Sequence, residues 1–276
     1  MFADLHIHSQ HSDGALSSSE IIEKARSQDI TLISVCDHNS IDFYAEVENM
    51  HNLGDMKIIR GVEISSVLDG AEYHILAYGF DIQNKSLIDL LRHNRNVNVD
   101  MGNCLIENMT ADYPVVSLEE FSVYERNRRN GGWESIDYLM SKGIVTDWAK
   151  YTELVRKYAS PLKKNFLSPK EVINIVHNAG GYAVLAHLCH HVKPDVMDYE
   201  NKAVRFFDMG IDGFECYYPS CPSELTEYLV AFCHERDLMI TAGSDDHGGF
   251  IGAPSDEYYI GAVKIKIEQL ELRRLM

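Results

Sequence analysis

The amino-acid sequence predicts an α/β fold, a TIM-like barrel carrying a mainly helical insertion. Three observations predict it. Short apolar, β-branched segments alternate with helical segments along most of the chain. A polar stretch without clear strands, residues 84–165, interrupts that alternation. Nearly every strand ends in His, Asp or Glu, and an α/β barrel gathers its chemistry at the C-terminal ends of its strands.

Phe2 to His8 is short and apolar, the first strand. Ser17-Ser18-Ser19-Glu20 offers N-caps for a helix through about Gln28. Ile30 to Cys36 is a second strand by its β-branched content. Ile41 to Leu53 reads as a helix that Gly54 ends. Lys57 to Ile64 is the third strand; Asp69-Gly70 is a hairpin turn, and Tyr73 to Phe80 returns as the fourth. The insertion opens with a helix over roughly Ser86 to Met109, and Gly131-Gly132 breaks it later. Ser168-Pro169-Lys170-Glu171 is a capping box with Pro at the first helical position, and Gly180-Gly181 stops that helix. Strands at Tyr182 to Ala186, Gly213 to Tyr217 and Leu238 to Ala242 then alternate with helices at Asn201 to Met209 and Pro222 to Arg236. Seven strands, most followed by a helix, suit a mainly parallel sheet. The division expected is a barrel formed by residues 1–83 and 166–276, with residues 84–165 as its cap.

Composition narrows the function. The chain has 276 residues, 45% hydrophobic and 24% charged, ordinary for a folded domain. Its formal net charge is −17, so its far field repels phosphate, and long nucleic acid or an anionic membrane is a poor partner. The six cysteines form no C-x-x-C pair and read as free thiols. The N-terminus shows no signal-peptide pattern and no apolar run reaches the ~20 residues of a bilayer span, so a cytoplasmic enzyme is expected.

The candidate chemistry lies at the strand ends. His6 and His8 close the first strand, where alternation places both on one side. Asp13 follows in a Ser-Asp-Gly loop; Asp37 and His38 close the second strand; Glu63 lies near the end of the third and His74 in the fourth. His187, Glu215, Asp245 and His247 continue the pattern. A lone histidine is more often structural, and His51, His93, His177 and His234 are read so. The joint pattern points to metal. Imidazoles and carboxylates without paired thiolates suit Zn, Mn or Fe, and their number suits more than one ion.

Five ordered motifs carry a family resemblance. They are Asp4-Leu5-His6-Ile7-His8 with Ser12-Asp13-Gly14, Val35-Cys36-Asp37-His38-Asn39, Gly61-Val62-Glu63-Ile64, Leu185-Ala186-His187, and Gly243-Ser244-Asp245-Asp246-His247. In this order the chain resembles the PHP (polymerase and histidinol phosphatase) family, closest to its stand-alone phosphoesterases. The resemblance implies a distorted (β/α)7 barrel and three divalent ions. His6, His8, Glu63 and Asp245 would hold one, Glu63, His74 and His187 a second, and Asp13, His38 and His247 the third. It makes Asp37 a residue that orients a ligand, and Glu215 a structural or supporting one. The activity implied is hydrolysis of a small phosphorylated metabolite (a nucleotide mono- or bisphosphate, or a cyclic phosphate) by hydroxide made available on the metals. His190 or His191, just past His187, is the candidate acid for the leaving group.

Two departures from the family pattern bear on substrate. The Gly-Arg-Pro-His segment of the related nucleotide phosphatases is Gly131-Gly132-Trp133-Glu134 here, and the segment after the strand-five histidine is His187-Leu188-Cys189-His190-His191. Arg126, Arg128, Arg129, Lys163 and Lys164 are candidate replacement phosphate binders, against a solvated helix face, and Trp133 could stack on a base or sugar, against core packing. The alternative functions are hydrolysis of a C–N or lactone bond, and a non-catalytic metal-binding module.

Overall fold

Two mixed sheets form the centre of the computed structural model, which describes residues 1–50, 53–159, 165–193, 195–249 and 258–275. The strands are β1 (Phe2–Ile7), β2 (Ile30–Val35), β3 (Lys57–Ile58), β4 (Gly61–Leu68), β5 (Ala71–Tyr78), β6 (Tyr182–Leu185), β7 (Gly213–Tyr217), β8 (Met239–Ala242) and β9 (Ile265–Lys266). One sheet has the order β3-β2-β1-β9 and the other β4-β5-β6-β7-β8. The helices are α1 (Ser18–Ser27), α2 (Asp42–Val47), α3 (Lys85–Met109), α4 (Leu118–Ser122), α5 (Glu134–Ser141), α6 (Trp148–Leu154), α7 (Pro169–Asn178), α8 (Val196–Asp208) and α9 (Ser223–Arg236).

The α/β class is as expected, but the sheets are not mainly parallel. Asp69 and Gly70 both have positive φ, 52° and 80°, which closes a tight hairpin and lays β5 antiparallel to β4. β6 then also pairs antiparallel to β5, while β6-β7-β8 and β1-β2-β3 are parallel. Among the described residues the ladders do not run continuously round a barrel. The two sheets meet through two isolated parallel bridges, Ile7 with Asp246 and His38 with Glu63. Both junctions fall among the candidate ligands.

The expected third strand is two. β3 pairs with β2 whereas β4 pairs with β5, so the chain changes sheets at Ile59-Arg60. Gly61 permits the crossing: a Cβ there would lie 2.1 Å from Ser34 Oγ and 2.6 Å from Cys36 Sγ. α2 is shorter than the sequence suggests. It ends at Val47, after which Asn49 N–H donates to Glu46 O (3.1 Å) and Met50 N–H to Val47 O (2.9 Å), the tighter bonds of a finishing turn; residues 51–52, including His51, lie outside the described residues. The two capping boxes form as read, Ser17 with Glu20 on α1 and Ser168 with Glu171 on α7. All six cysteines are free.

The main apolar core lies between sheets and flanking helices, with Leu5, Ile64, Leu76, Val184, Phe214 and Ile240 fully buried in it. Helices α3, α5 and α6 supply a separate core, built on Leu105, Ile106, Met109, Ile136, Tyr138 and Leu139. No described helix is long and apolar enough to cross a membrane.

Candidate metal centre

The sheet registers bring the expected residues to one place. His6 and His8 lie one residue apart at the end of β1 and are fully buried. In the β4–β5 hairpin, Ser65 pairs with His74 and Glu63 with Leu76. Glu63 and His74 are therefore diagonal neighbours on one face, and His74 Nδ1 lies 2.9 Å from Glu63 Oε1. His187 follows β6 and Asp245 follows β8. Both have positive φ, 27° and 55°, a conformation that non-glycine residues adopt only when their surroundings enforce it.

Glu63 is the hub. Its Oε2 lies 3.4 Å from His6 Nε2, 3.3 Å from His8 Nε2 and 3.1 Å from His38 Nδ1, and its Oε1 is 3.0 Å from His187 Nε2. Asp245 Oδ1 lies 3.0 Å from His8 Nε2 and 3.4 Å from His6 Nε2. Asp13 faces His8 at 3.5 Å, His38 at 3.7 Å and His247 at 3.4 Å. Three groups have ligand atoms within 4.8 Å of one another: His6, His8, Glu63 and Asp245; His8, Asp13, His38 and His247; and His38, Glu63 and His74. Eight of the nine candidate ligands fall in these groups. The grouping differs from the expected one in that His8 and His38 each belong to two groups and that His38, not His187, stands with Glu63 and His74. His187 reaches the cluster through Glu63 and through His74 Nδ1 at 3.3 Å.

The cluster fits cations. His8 Nδ1, Glu63 Oε2 and His187 Nδ1 are buried with no hydrogen-bond partner, although ring nitrogens and carboxylate oxygens crowd together. Buried polar atoms are rarely left so unless something else binds them. The charge balance agrees. Burial alone would depress His8, but the carboxylates of Asp245 and Glu63 overcome it and push it up to about 10. Burial likewise opposes, and Glu63 and Glu72 outweigh it, at His74, also raised to about 10. Against their own burial, Asp13 and Glu63 are held far below the usual carboxylate range by the surrounding histidines. The carboxylates thus draw positive charge into the site, as protons in the free protein or as metal ions in their place.

A second set of residues holds this set in position. Glu215 Oε1 lies 3.0 Å from His6 Nδ1, and its Oε2 accepts from the His187 backbone N–H (2.9 Å). Asp37 touches no candidate ligand's ring. Its carboxylate accepts from Ser9 N–H (2.8 Å) and from the Ser9 and Ser12 hydroxyls, so it shapes the loop between His8 and Asp13. Three supporting residues were missed in the sequence. Asp4 accepts from the N–H groups of Ser244 (2.9 Å) and Gly261 (2.8 Å), and its burial raises it to about 6. Asp246 accepts from Lys24 Nζ (2.9 Å) and Gly248 N–H (2.7 Å). Tyr218 O–H donates to Asp245 Oδ2 (2.8 Å). Such partners fix ligand orientation, so Tyr218→Phe is expected to weaken metal affinity roughly 10–100-fold, read by competition with a metal-sensing chelator. Unchanged affinity would make that hydrogen bond incidental.

A cavity of about 770 Å³ opens over the cluster. Asp13, His38, His74, Asp245 and His247 form its floor, and residues of α3, α5, α6 and the turn before α5 form its far wall. Trp133 lines it, with its ring centre 5.6 Å from that of His38. Of the two candidate acids, His190 lines the cavity and stacks on His187, whereas His191 packs on Tyr73 at 4.3 Å. Burial, then the neighbouring His187, depresses His190 to about 4 and His191 to about 3, which leaves both rings neutral near pH 7.

The arginines proposed for phosphate binding do not line this cavity. Arg128 Nη1 donates to Gln10 O (3.1 Å), and Arg129 is paired with Glu20 at 2.6 Å. Arg126 donates to the carbonyls of Gly132 and Ser12, and Gly132 N–H donates to Asp13 O (2.7 Å), so this segment is fastened to the Asp13 loop. Lys163 and Lys164 lie outside the described residues.

A family model described as PHP domain matches residues 4–236. A 5′-3′ exoribonuclease of Haemophilus influenzae is 27% identical over 88% of this chain and 89% of its own length. A 3′,5′-nucleoside bisphosphate phosphatase of Chromobacterium violaceum is 25% identical over 88% of this chain and 86% of its own. The structure of a presumed metal-dependent phosphoesterase from Bifidobacterium adolescentis superposes with a TM-score of 0.77 at 22% identity, covering 96% of this chain and 97% of that one. This last likeness speaks to the fold.

Proposed function

The chain belongs to the PHP domain family, and from that premise we propose that it is a metal-dependent phosphoesterase acting on a small phosphorylated metabolite. The observation that carries this reading is the convergence of His6, His8, Asp13, His38, Glu63, His74, His187, Asp245 and His247 beneath one cavity. In this reading the two bridged sheets are a distorted (β/α)7 barrel, and residues 84–165 are a helical cap that shields the reacting ester from bulk water.

The reading assigns three divalent ions, Zn, Mn or Fe. One goes to His6, His8, Glu63 and Asp245, a second to Glu63, His74 and His187, and a third to Asp13, His38 and His247, with His8 and His38 near enough to serve two sites. Divalent ions there supply Lewis acidity toward a phosphoryl group and lower the pKa of water. The protein's own part is to keep the donors in place. Glu215 orients His6 through Nδ1, Tyr218 orients Asp245, and Asp37 holds the Ser9–Ser12 loop that presents Asp13.

A long polynucleotide suits the net charge of −17 less well than a small ester does. The exoribonucleases among the relatives make this worth measuring directly. The reading implies that a 5′-phosphorylated oligonucleotide competes weakly against small esters.

The test is elemental analysis of the purified protein alongside hydrolysis of p-nitrophenyl phosphate and bis(p-nitrophenyl) phosphate. The expected result is about three ions per chain and turnover of one ester class. A chelator is expected to lower the rate by at least roughly a thousandfold, with recovery on adding Zn, Mn or Fe. Full rate after complete metal removal would overturn the reading.

A further inference from the structure

The insertion grips the loops that present Asp13 and His38. On α3, Asn94 is fully buried. Its Nδ2 donates to Asn39 Oδ1 (2.8 Å) and to Ser65 O (2.9 Å). The next residue, Arg95, donates through Nη1 to Asn39 O (2.8 Å). Asn39 follows the candidate ligand His38 and has a positive φ of 52°, a conformation that its surroundings must hold. Its Oδ1 also accepts from Ser65 N–H (3.2 Å), and its own N–H donates to Glu63 O (2.8 Å). The other grip is the turn before α5. Arg126, with 7% of its side chain exposed, donates to Ser12 O and Gly132 O, and Gly132 N–H donates to Asp13 O (2.7 Å).

Resting on the phosphoesterase reading above, we propose that the insertion completes the cation position formed by Asp13, His38 and His247, with Asn94 and Arg126 as its positioning residues. The other ligands are held differently. Glu215 on β7 fixes His6 and the His187 backbone, and Tyr218 fixes Asp245. Both partners lie outside the insertion. Asp13 and His38 sit instead on irregular backbone past the ends of β1 and β2, whose place is set by what bonds to it. Asn94 and Arg126 supply such bonds from desolvated positions, where an oxygen left without its donor is costly. Removing either donor therefore loosens a loop that carries one ligand. The coupling runs both ways, because a cation that fixes Asp13 and His38 also favours the contacts that the insertion makes behind them.

Asn94→Leu, which keeps the size and removes the donor, and Arg126→Ala test this by competition of Zn or Mn against a metal-sensing chelator. Each is expected to weaken one cation roughly 10–100-fold and to leave the others as tight as in the wild type, so that about two ions rather than three remain per chain after dialysis. Arg126→Lys keeps a charged donor and should recover part of the affinity lost in Arg126→Ala. Asn108→Ala is the control. Asn108 lies on the same helix and its Nδ2 donates to Tyr158 O (2.8 Å) within the insertion, so this variant should lose stability in urea without losing an ion. Wild-type affinity for every ion in both Asn94→Leu and Arg126→Ala overturns the proposal and leaves the phosphoesterase reading standing. Equal weakening of all the ions does the same, since that is what a general loss of stability produces. A wild-type protein that binds no metal overturns that reading, and this proposal with it. Should the variants fail to fold, the wild type decides. Loading it with Zn is expected to slow hydrogen exchange at Gly132 N–H about tenfold more than in α6. Equal slowing in both places, or none, overturns the proposal.

Discussion

Glu63→Gln is expected to remove roughly a thousandfold of the activity, about 4 kcal/mol of transition-state stabilisation, together with most of the bound metal. The substitution keeps the shape of the side chain, so the packing around it is preserved. What changes is charge and donor character. Glu63 presents two oxygens to His6, His8, His38, His74 and His187, all within 3.4 Å. An amide would replace one of those lone-pair donors with an N–H2 group that cannot ligate a cation. It would also leave the five rings with one carboxylate fewer to balance positive charge. The three sites proposed here share this residue or its neighbours, so they should empty together. Elemental analysis and p-nitrophenyl phosphate hydrolysis, with circular dichroism to confirm folding, check this. A folded variant that keeps its metal and a rate within tenfold of wild type would remove Glu63 from the centre.

The members of the candidate ligand cluster were legible because they carry their signal locally. His6 and His8 announce themselves by alternation at a strand end, and Asp13 and Asp245 by the small residues beside them. His74 was legible as a strand residue, but its partnership with Glu63 depends on the hairpin register that Asp69 and Gly70 set. The supporting residues were not legible, because their meaning lies in distant partners. Asp4 bonds to Ser244 and Gly261, some 240 and 257 positions away, and Tyr218 to Asp245, 27 away. The arginines failed for a related reason. Their positive charge suggested phosphate, but nothing local to them discloses that the Gln10 carbonyl and the Glu20 carboxylate take them up. The fold behaved alike. Strand-and-helix alternation was readable, but the change of sheet between β3 and β4 depends on what Gly61 passes, namely Ser34 and Cys36.

Gly243→Ala should destabilise the protein by about 2–3 kcal/mol and weaken metal binding with it, because the added methyl has nowhere to go. Gly243 follows β8 directly, and its N–H donates to Tyr217 O (3.1 Å). A Cβ there would lie 2.1 Å from His6 Cβ, 2.5 Å from Glu215 Oε1 and 2.9 Å from His6 N. None of these atoms yields easily. His6 is fixed by β1 and by its own bond to Glu215, and Glu215 is tied in turn to the backbone of His187. Relief therefore requires β1 and β8 to part at the mouth, where Asp245 N–H donates to His6 O (2.8 Å) and the Ile7–Asp246 bridge joins the two sheets. Gly180→Ala is the comparison that isolates this effect. Gly180 has a positive φ of 75° with open space around its Cβ position, so an alanine there strains the backbone by about 1 kcal/mol without touching the site. Urea denaturation of both variants, each with and without metal, separates the two mechanisms. Gly180→Ala should lose stability equally in both conditions. Gly243→Ala should lose more of it with metal present, since the displaced His6 and Glu215 are the residues that shape the first ligand group. Equal losses for the two variants in both conditions would mean that the junction between β1 and β8 adjusts freely, and that the metal centre does not depend on the close approach Gly243 allows.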